Sequence, residues 1–536
     1  MSRQGRILIV DDLETWRSVL GGTLERSGFH VETATSIADA RERMVDSFFH
    51  LIVLDIRMQD SDQDNEEGIQ LLRELDRYGL NEAMKVIILS AYGTKEQMRT
   101  AFRDLKVTDF LSKDTFDNLD FLSQVRQMFN QEMQINLNLV THWQQISGSE
   151  QAVLNVAIAG TRIKRNTPQH LRAAAELDDL LCRLFYEAES LLIRPLTAGR
   201  SGAGVLWVQP FFTAGGGQSV AVKYGDVHAI EEEQRRFRAH VQPFIGGGRS
   251  TTVRDARRTA QLGGIAYSFL GTAGDQLEDF GSFYQQAELP AITDILERLF
   301  RETCGGWYAN PGRLQLCNLT EEYQQLLNFT PEKLEEAHIE RLKSVQGKQK
   351  LTFTALESER TFANPISAIA GQALLRSTYI CTTHGDLNEH NILVDPSGHS
   401  WLIDFLRTGP GHILRDVALL DTSVRFHLLT ANEATLAERF QMEEVLCKAE
   451  RFSQIEQLPT ELPNTNPSLA NAYATTLSLR KIARRLVAQN TSDDISEYSI
   501  ALFYYAVNTI RFYGLPVVQR EHALLSASLL AERLGL

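Results

Sequence analysis

Apolar residues gather in short unbroken runs near the start of the chain, at 6–10, 51–54, 86–89 and, more weakly, 107–111. A run without polar alternation marks a strand covered on both faces. Between the runs the apolar spacing widens to three and four. It predicts helices over 13–26 (stopped at Gly28), 36–46, 68–78 and 95–103. Strands alternating with helices make a parallel sheet with helices on both sides.

Further on the pattern changes twice. A helical spacing continues from 116 to about 145, and another helix is expected over 168–190, opened by Thr167 and Pro168. Residues 129–188 therefore read as a helical linker. Over 189–285 glycines cluster and short β-type runs appear at 205–208, 219–223 and 265–270, predicting a small twisted antiparallel sheet. The remainder, 286–536, reads as helical except for a strand pair, 392–394 and 401–403, around the turn from Asp395 to Gly398.

Composition narrows the classes. The 536 residues are 43% hydrophobic and 23% charged, ordinary for folded domains, and the length suits several of them. No stretch approaches the ~18 apolar residues of a membrane span. The first apolar run is too short for a signal-peptide core. A net charge of −14 argues against general nucleic-acid binding. Five scattered cysteines without CxxC pairs fit a reducing cytoplasm and no zinc site.

Open parallel sheets build sites at the carboxyl ends of their strands. Asp11 and Asp12 end the first apolar run and Asp55 the second. Three converging carboxylates repel, and a hard divalent cation, Mg²⁺ foremost, relieves them. Ser90 ends the third run and Lys113 follows the fourth. A hydroxyl and a lysine there suit phosphoryl oxygens, and the carboxylate itself can be the nucleophile.

This ordered set resembles the receiver domain of bacterial response regulators, over about residues 5–128. The resemblance implies a flavodoxin-like, doubly wound, five-stranded parallel sheet with Asp55 as phospho-acceptor. It implies Asp11 and Asp12 as Mg²⁺ ligands, completed by the carbonyl of Arg57. Ser90 and Lys113 would contact the phosphoryl group, Phe110 would be the aromatic switch, and the partner would be a sensor histidine kinase. Two features depart from the pattern. Asp114 stands where receivers usually carry a cis proline. The loop after Asp55 is acidic (Asp60, Asp62, Asp64, Glu66, Glu67), but Asn65 and Leu71 break a calcium-loop reading, leaving a solvated acidic loop.

The second constellation is the string from His384 to Val394, with Asp386 and Asn391, followed by Asp404 and Phe405. Asp386 would orient a hydroxyl, while Asn391 and Asp404 would hold Mg²⁺ bridging the phosphates of ATP. The string resembles the aminoglycoside phosphotransferase and choline kinase branch of the protein-kinase-like superfamily. That resemblance implies a bilobal α+β fold with a helix-rich second lobe, and a structural role for Asp416 beneath the catalytic loop. Upstream, Gly199, Gly202 and Gly204 would cover the phosphates, and Lys223 would pair with Glu233. His384 is expected to bond backbone, not metal. The basic face Arg480, Lys481, Arg484 and Arg485 reads as a salt-bridged amphipathic helix.

The expected protein is thus a cytoplasmic response regulator with four parts: receiver 1–128, linker 129–188, and kinase-like lobes 189–285 and 286–536. Phosphorylation of Asp55 would control transfer of phosphate from Mg²⁺-ATP to an unidentified small-molecule or protein hydroxyl acceptor. Its rival is a receiver fused to a catalytically inactive, nucleotide-binding scaffold. No direct DNA contact and no membrane contact are expected, and a homodimer is left open.

Overall fold

The computed structural model describes residues 4–58, 67–91, 103–196, 202–244, 250–270, 277–309, 311–328, 349–354, 356, 359–369, 372–463, 465–488, 492–512 and 514–536. They form two compact units, 1–232 with 253–268, and 233–252 with 269–536.

The first unit begins with β1 (Arg6–Val10), α1 (Glu14–Arg26), β2 (His30–Ala34), α2 (Ile37–Asp46), β3 (Leu51–Leu54), α3 (Glu67–Arg77), β4 (Lys85–Ser90) and β5 (Asp109–Ser112). The strands form one parallel sheet in the order β2-β1-β3-β4-β5. Alternate residues serve opposite faces, as the two-residue period of a strand requires. Leu8, Val10, Ile52, Leu54, Val86 and Ile88 pack with α2 and α3. Ile7, Ile9, Leu51, Val53, Ile87 and Leu89 face the other way. The 95–103 helix expected from sequence falls almost wholly outside the described residues, as does most of the acidic loop.

The core on that second face does not stop at the receiver. It continues through Phe121, Val125 and Phe129 to Leu177, Leu180 and Leu181, and on to Leu206, Val208 and Val222. The boundaries expected near 128 and 188 therefore do not coincide with those of the units, because one apolar cluster spans all three stretches. Nor is 129–188 a purely helical linker. Helix Asn118–Gln127 ends in a wider turn at Met128–Glu132, and Val140–Trp143 is a strand parallel to Ser190–Pro195. Asn136 redirects the chain here: its Nδ2 donates to the carbonyl of Ala188 at 2.7 Å. The next helix, Pro168–Leu184, starts as expected, with the Thr167 hydroxyl accepting from the His170 N–H. It stops six residues short of 190, where the chain turns into strand.

The second sheet runs in the order 250–258, 262–270, 220–226, 204–212, 190–195, 140–143. Its central strands are antiparallel, as predicted. Gly204 sits where a Cβ would lie 2.2 Å from the Tyr224 ring. The Tyr224 hydroxyl in turn donates to the carbonyl of Ala152 at 2.8 Å.

In the second unit, Leu289–Arg298, Arg415–Ser423, Leu436–Leu446, Pro467–Leu486, Ser496–Ile510 and Val517–Leu534 are helices. Strand Ile392–Val394 pairs with Ser400–Leu402 much as expected. The expectation of helix elsewhere is corrected by three further strand pairs: Gln315–Asn318 with Leu375–Thr378, Lys350–Phe353 with Arg360–Ala363, and Ile380–Thr383 with Gly409–His412. Among the described residues no helix is long and apolar enough to cross a membrane.

Candidate functional site

Parallel pairing of β1 with β3 puts their carboxyl ends side by side, and the chain places Asp11, Asp12 and Asp55 just past those ends. Carboxylate oxygens of the three all lie within 4.8 Å of one another. The Lys113 ammonium joins them, 2.5 Å from Asp55 Oδ2 and 2.7 Å from Asp11 Oδ2. Backbone N–H groups take the other oxygens: Leu13 donates to Asp11 Oδ1 at 2.9 Å and Arg57 to Asp55 Oδ1 at 3.1 Å. Ser90 is buried at the end of β4, and Phe110 is half-buried against the α2–α3 face. Burial pushes the Asp11 carboxyl up, more than the Lys113 hydrogen bond pulls it down. For Lys113, burial favours the neutral amine, yet the hydrogen bonds it donates to Asp11 and Asp55 outweigh this and raise its pKa. Lys113–Asp114 is a trans peptide.

Two side chains here escaped the sequence reading. Trp16 lies under the Lys113 ammonium, 5.5 Å from ring centre to nitrogen, and packs edge-on against Phe116. Arg17 donates to the Asp11 carbonyl at 2.6 Å. Both sit on α1, whose apolar spacing signals only a helix.

In the second unit the His384–Asn391 loop hangs on Asp416. The Asp416 carboxylate accepts from the N–H groups of His384 (2.6 Å) and Gly385 (2.9 Å), and from the Tyr308 hydroxyl (2.7 Å). Gly385 has φ +80°, and a Cβ there would meet the Arg407 carbonyl at 2.3 Å, so only glycine fits. His384 Nε2 reaches the Ile403 carbonyl at 3.0 Å. Asn391 Nδ2 donates to the backbone carbonyl of Asp386 at 2.7 Å. Asp404 holds a left-handed φ of 68°, and the next N–H, of Phe405, donates to Glu233 Oε1 at 3.1 Å. The Phe405 ring lies between Phe237 and His384. Asp386 is half-buried. Burial raises its carboxyl and Asp404 adds to the rise, against Arg407.

Of the upstream residues, Gly202, Gly204 and Lys223 belong to the first unit and Glu233 to the second. Lys223 is buried on the central strand Val220–Asp226. Gly202 has a left-handed φ of 81°, with a Cβ there 3.0 Å from that of Ala157, and Gly204 is required by Tyr224, so both glycines have local structural reasons to be there. Gly199 lies outside the described residues.

Comparison with known proteins separates the two parts. The response regulator receiver domain matches residues 7–126. The Escherichia coli transcriptional regulatory protein ZraR is 36% identical over 116 residues, 21% of this chain and 24% of ZraR. Pseudomonas aeruginosa GltR, also a transcriptional regulatory protein, is 30% identical over 129 residues, 24% of this chain and 50% of GltR. The solved receiver domain of NtrX from Brucella abortus is 26% identical and covers 23% of this chain and 98% of that one, with a TM-score of 0.21. The chain thus spans half or less of the curated relatives it matches. Ternary complex associated domain 9 matches residues 188–334 and 330–511, together more than half of the chain. The chain belongs to that family. Its Ternary complex associated domain 9 region follows an N-terminal receiver of the two-component type. That family match covers the string from His384 to Phe405. The Asp416-held loop is therefore a feature of a Ternary complex associated domain 9 region.

Proposed function

We propose that the chain is a two-component response regulator phosphorylated on Asp55, and that this charge controls a phosphotransferase-like output centred on Asp386. One observation carries the first half: a single ammonium, Lys113, bridges Asp55 and Asp11 with Asp12 beside them. An Asp55 oxygen attacks the phosphorus of a phosphohistidine, the P–N bond breaks, and the imidazole leaves with the electron pair. Lys113 then turns from the carboxylate to a phosphoryl oxygen, and the Ser90 hydroxyl serves another. The crowded carboxylates fit a hard cation, so Mg²⁺ held by Asp11, Asp12, Asp55 and the Arg57 carbonyl would supply charge neutralisation. Phe110 is the aromatic ring that would follow the change.

For the output, Asp386, Asn391 and Asp404 are suited to Mg²⁺-ATP, with Asp386 orienting the acceptor hydroxyl. His384 and Asp416 fix the loop, and Glu233 fixes the turn after Asp404. The partners of this reading are a sensor histidine kinase and an unidentified hydroxyl acceptor.

Intact mass spectrometry after treatment with acetyl phosphate and Mg²⁺ tests the receiver: one phosphoryl group is expected on the wild type and none on Asp55→Asn. Labelled ATP tests the output, and Asp386→Asn should lower transfer or hydrolysis by about 10²–10⁴-fold. Equal turnover by both proteins, with nucleotide still bound, would establish the scaffold reading instead.

A further inference from the structure

The strands that carry the phosphorylation site are tied together at their opposite ends. Asp11, Asp55 and Ser90 stand at the carboxyl ends of β1, β3 and β4. At the amino ends of the same strands stand Arg6, His50 and Ala83. The Arg6 N–H donates to His50 Nδ1 at 2.8 Å. That bond makes Nδ1 the acceptor, so the ring proton sits on Nε2, which donates to Asp179 Oδ1 at 2.8 Å. Asp179 Oδ2 accepts from Arg183 Nε at 2.8 Å, and Arg183 Nη2 donates to the Ala83 carbonyl at 2.9 Å. His50, Asp179 and Arg183 are all buried. Desolvation alone would raise the Asp179 carboxyl, but the Arg183 guanidinium holds it well below the ordinary carboxylate range.

The clamp sits on the helix Pro168–Leu184, and that helix has a second set of ties. Arg172 donates to the carbonyls of Met44, at 3.0 Å, and Val45 at the end of α2. It also pairs with Glu176 at 2.9 Å. The other Glu176 oxygen accepts from the Thr259 hydroxyl at 2.5 Å and the Gln261 N–H at 2.8 Å. One stripe of this helix, spaced by three and four residues, therefore grips the receiver through Arg172, Asp179 and Arg183 and a hairpin of the second sheet through Glu176. A cleft of about 230 Å³ beside the clamp, walled by Phe48, Leu137, Ala175 and Cys182, leaves the helix room to shift that a packed core would deny it.

We infer that Asp179 is a positioning residue for the phosphorylation site, and that the helix Pro168–Leu184 reads the state of Asp55 from the base of the sheet. This rests on the receiver reading above. Clamping three parallel strands at one end fixes how their other ends present Asp11, Asp55 and Ser90, about 16 Å away at ~3.3 Å per residue. Coupling of this kind is reciprocal: whatever the clamp does to phosphoryl binding, phosphoryl binding does to the clamp.

The experiment uses the full chain with beryllium fluoride and Mg²⁺ as the phosphoryl mimic. Asp179→Asn should weaken mimic binding by at least about fivefold, within the usual range of coupling between sites. Asp179→Glu, which keeps the charge, should recover part of that loss. In the wild type, saturation with the mimic should change amide hydrogen exchange across 168–184. Unchanged affinity in a folded Asp179→Asn protein overturns the inference. If that variant does not fold, the wild-type exchange decides alone, and unchanged exchange overturns it equally. A wild type that binds no mimic removes the receiver reading itself, and this inference with it.

Discussion

Two buried charge clusters, one in each unit, differ in how their charges balance. At the ends of β1 and β3 the Lys113 ammonium bridges Asp11 and Asp55, with the half-buried Asp12 carboxylate close beside them. In the other unit Asp421 and Glu443 face two guanidiniums. Arg425 bonds Asp421 at 2.6 Å and both Glu443 oxygens at 2.8 and 2.9 Å, and Arg480 approaches Asp421 at 3.3 Å. Tyr498, His522 and Ser526 fill the remaining acceptor positions. A buried charge without a partner costs several kcal/mol, so a fold retains an excess only where something else supplies the missing charge. The balanced cluster is a fastening between helices. The unbalanced one marks a place where a cation and a phosphoryl group are expected.

The largest effect that tests this contrast comes from breaking the balanced cluster. Arg425→Leu leaves Asp421 and Glu443 short of their partner and should cost about 3–5 kcal/mol in the second unit, read by chemical denaturation. A loss under about 1 kcal/mol would show that the cluster is not the fastening described.

Acid should separate the units next. Burial lowers His522 to about 4, with the Glu443 hydrogen bond resisting. Between an unfolded value near 6.5 and that folded value, only the unfolded chain takes up the proton, so stability falls as pH falls through the window. Glu443 is itself held well below the ordinary range, because Arg425 and His522 outweigh its desolvation, and its contribution is lost further down. Asp11 has the opposite sign: its raised carboxyl takes a proton sooner when folded, so its share grows as pH falls. From pH 7 to 4 the second unit should lose on the order of 3 kcal/mol and the receiver less. Segment-resolved hydrogen exchange distinguishes this from a uniform loss.

What the sequence revealed follows the same division. Asp11, Asp12, Asp55, Ser90 and Lys113 were legible because an all-apolar strand that ends in a polar residue advertises its carboxyl end. The loop around Asp386 was legible because its polar residues lie within one short string. Strand β2 was missed: His30–Ala34 carries polar residues on a half-exposed edge. Val140–Trp143 was hidden by helical spacing on both sides. The pair Gly409–His412 with Ile380–Thr383 contains glycine and proline where strand signals are sought. The clamp joins His50 to Asp179 across 129 residues, and no local pattern encodes such a pair. Asp421 and Arg425, four apart on a helix, look like a solvated pair until tertiary packing buries them.

A smaller effect sharpens the receiver side. Lys113→Ala removes the ammonium that bridges Asp11 and Asp55 and should cost roughly 2 kcal/mol without divalent cations. Mg²⁺ should restore much of it, since a ligand bound only by the folded state adds about 2.7 kcal/mol at a hundred times its Kd. Melting temperatures of wild type and variant, with and without Mg²⁺, provide the comparison. If Mg²⁺ leaves both unchanged, the excess charge has no cation to wait for.

The smallest effect is a control on burial within one helix. Arg480 and Arg484 lie one turn apart on Pro467–Leu486. Arg480 is buried and donates to the Leu446 carbonyl at 2.8 Å as well as facing Asp421. Arg484 meets Glu456 at a closer 2.7 Å, but the two side chains are 39% and 64% exposed. Distance alone would rank Arg484 first. Solvent screening and the entropy of holding two long side chains reverse the order. Arg484→Ala should change unfolding by less than about 0.5 kcal/mol, and Arg480→Ala by several times that. Equal losses would mean that proximity, not burial, sets the strength of these pairs, and the contrast between the two clusters would lose its physical basis.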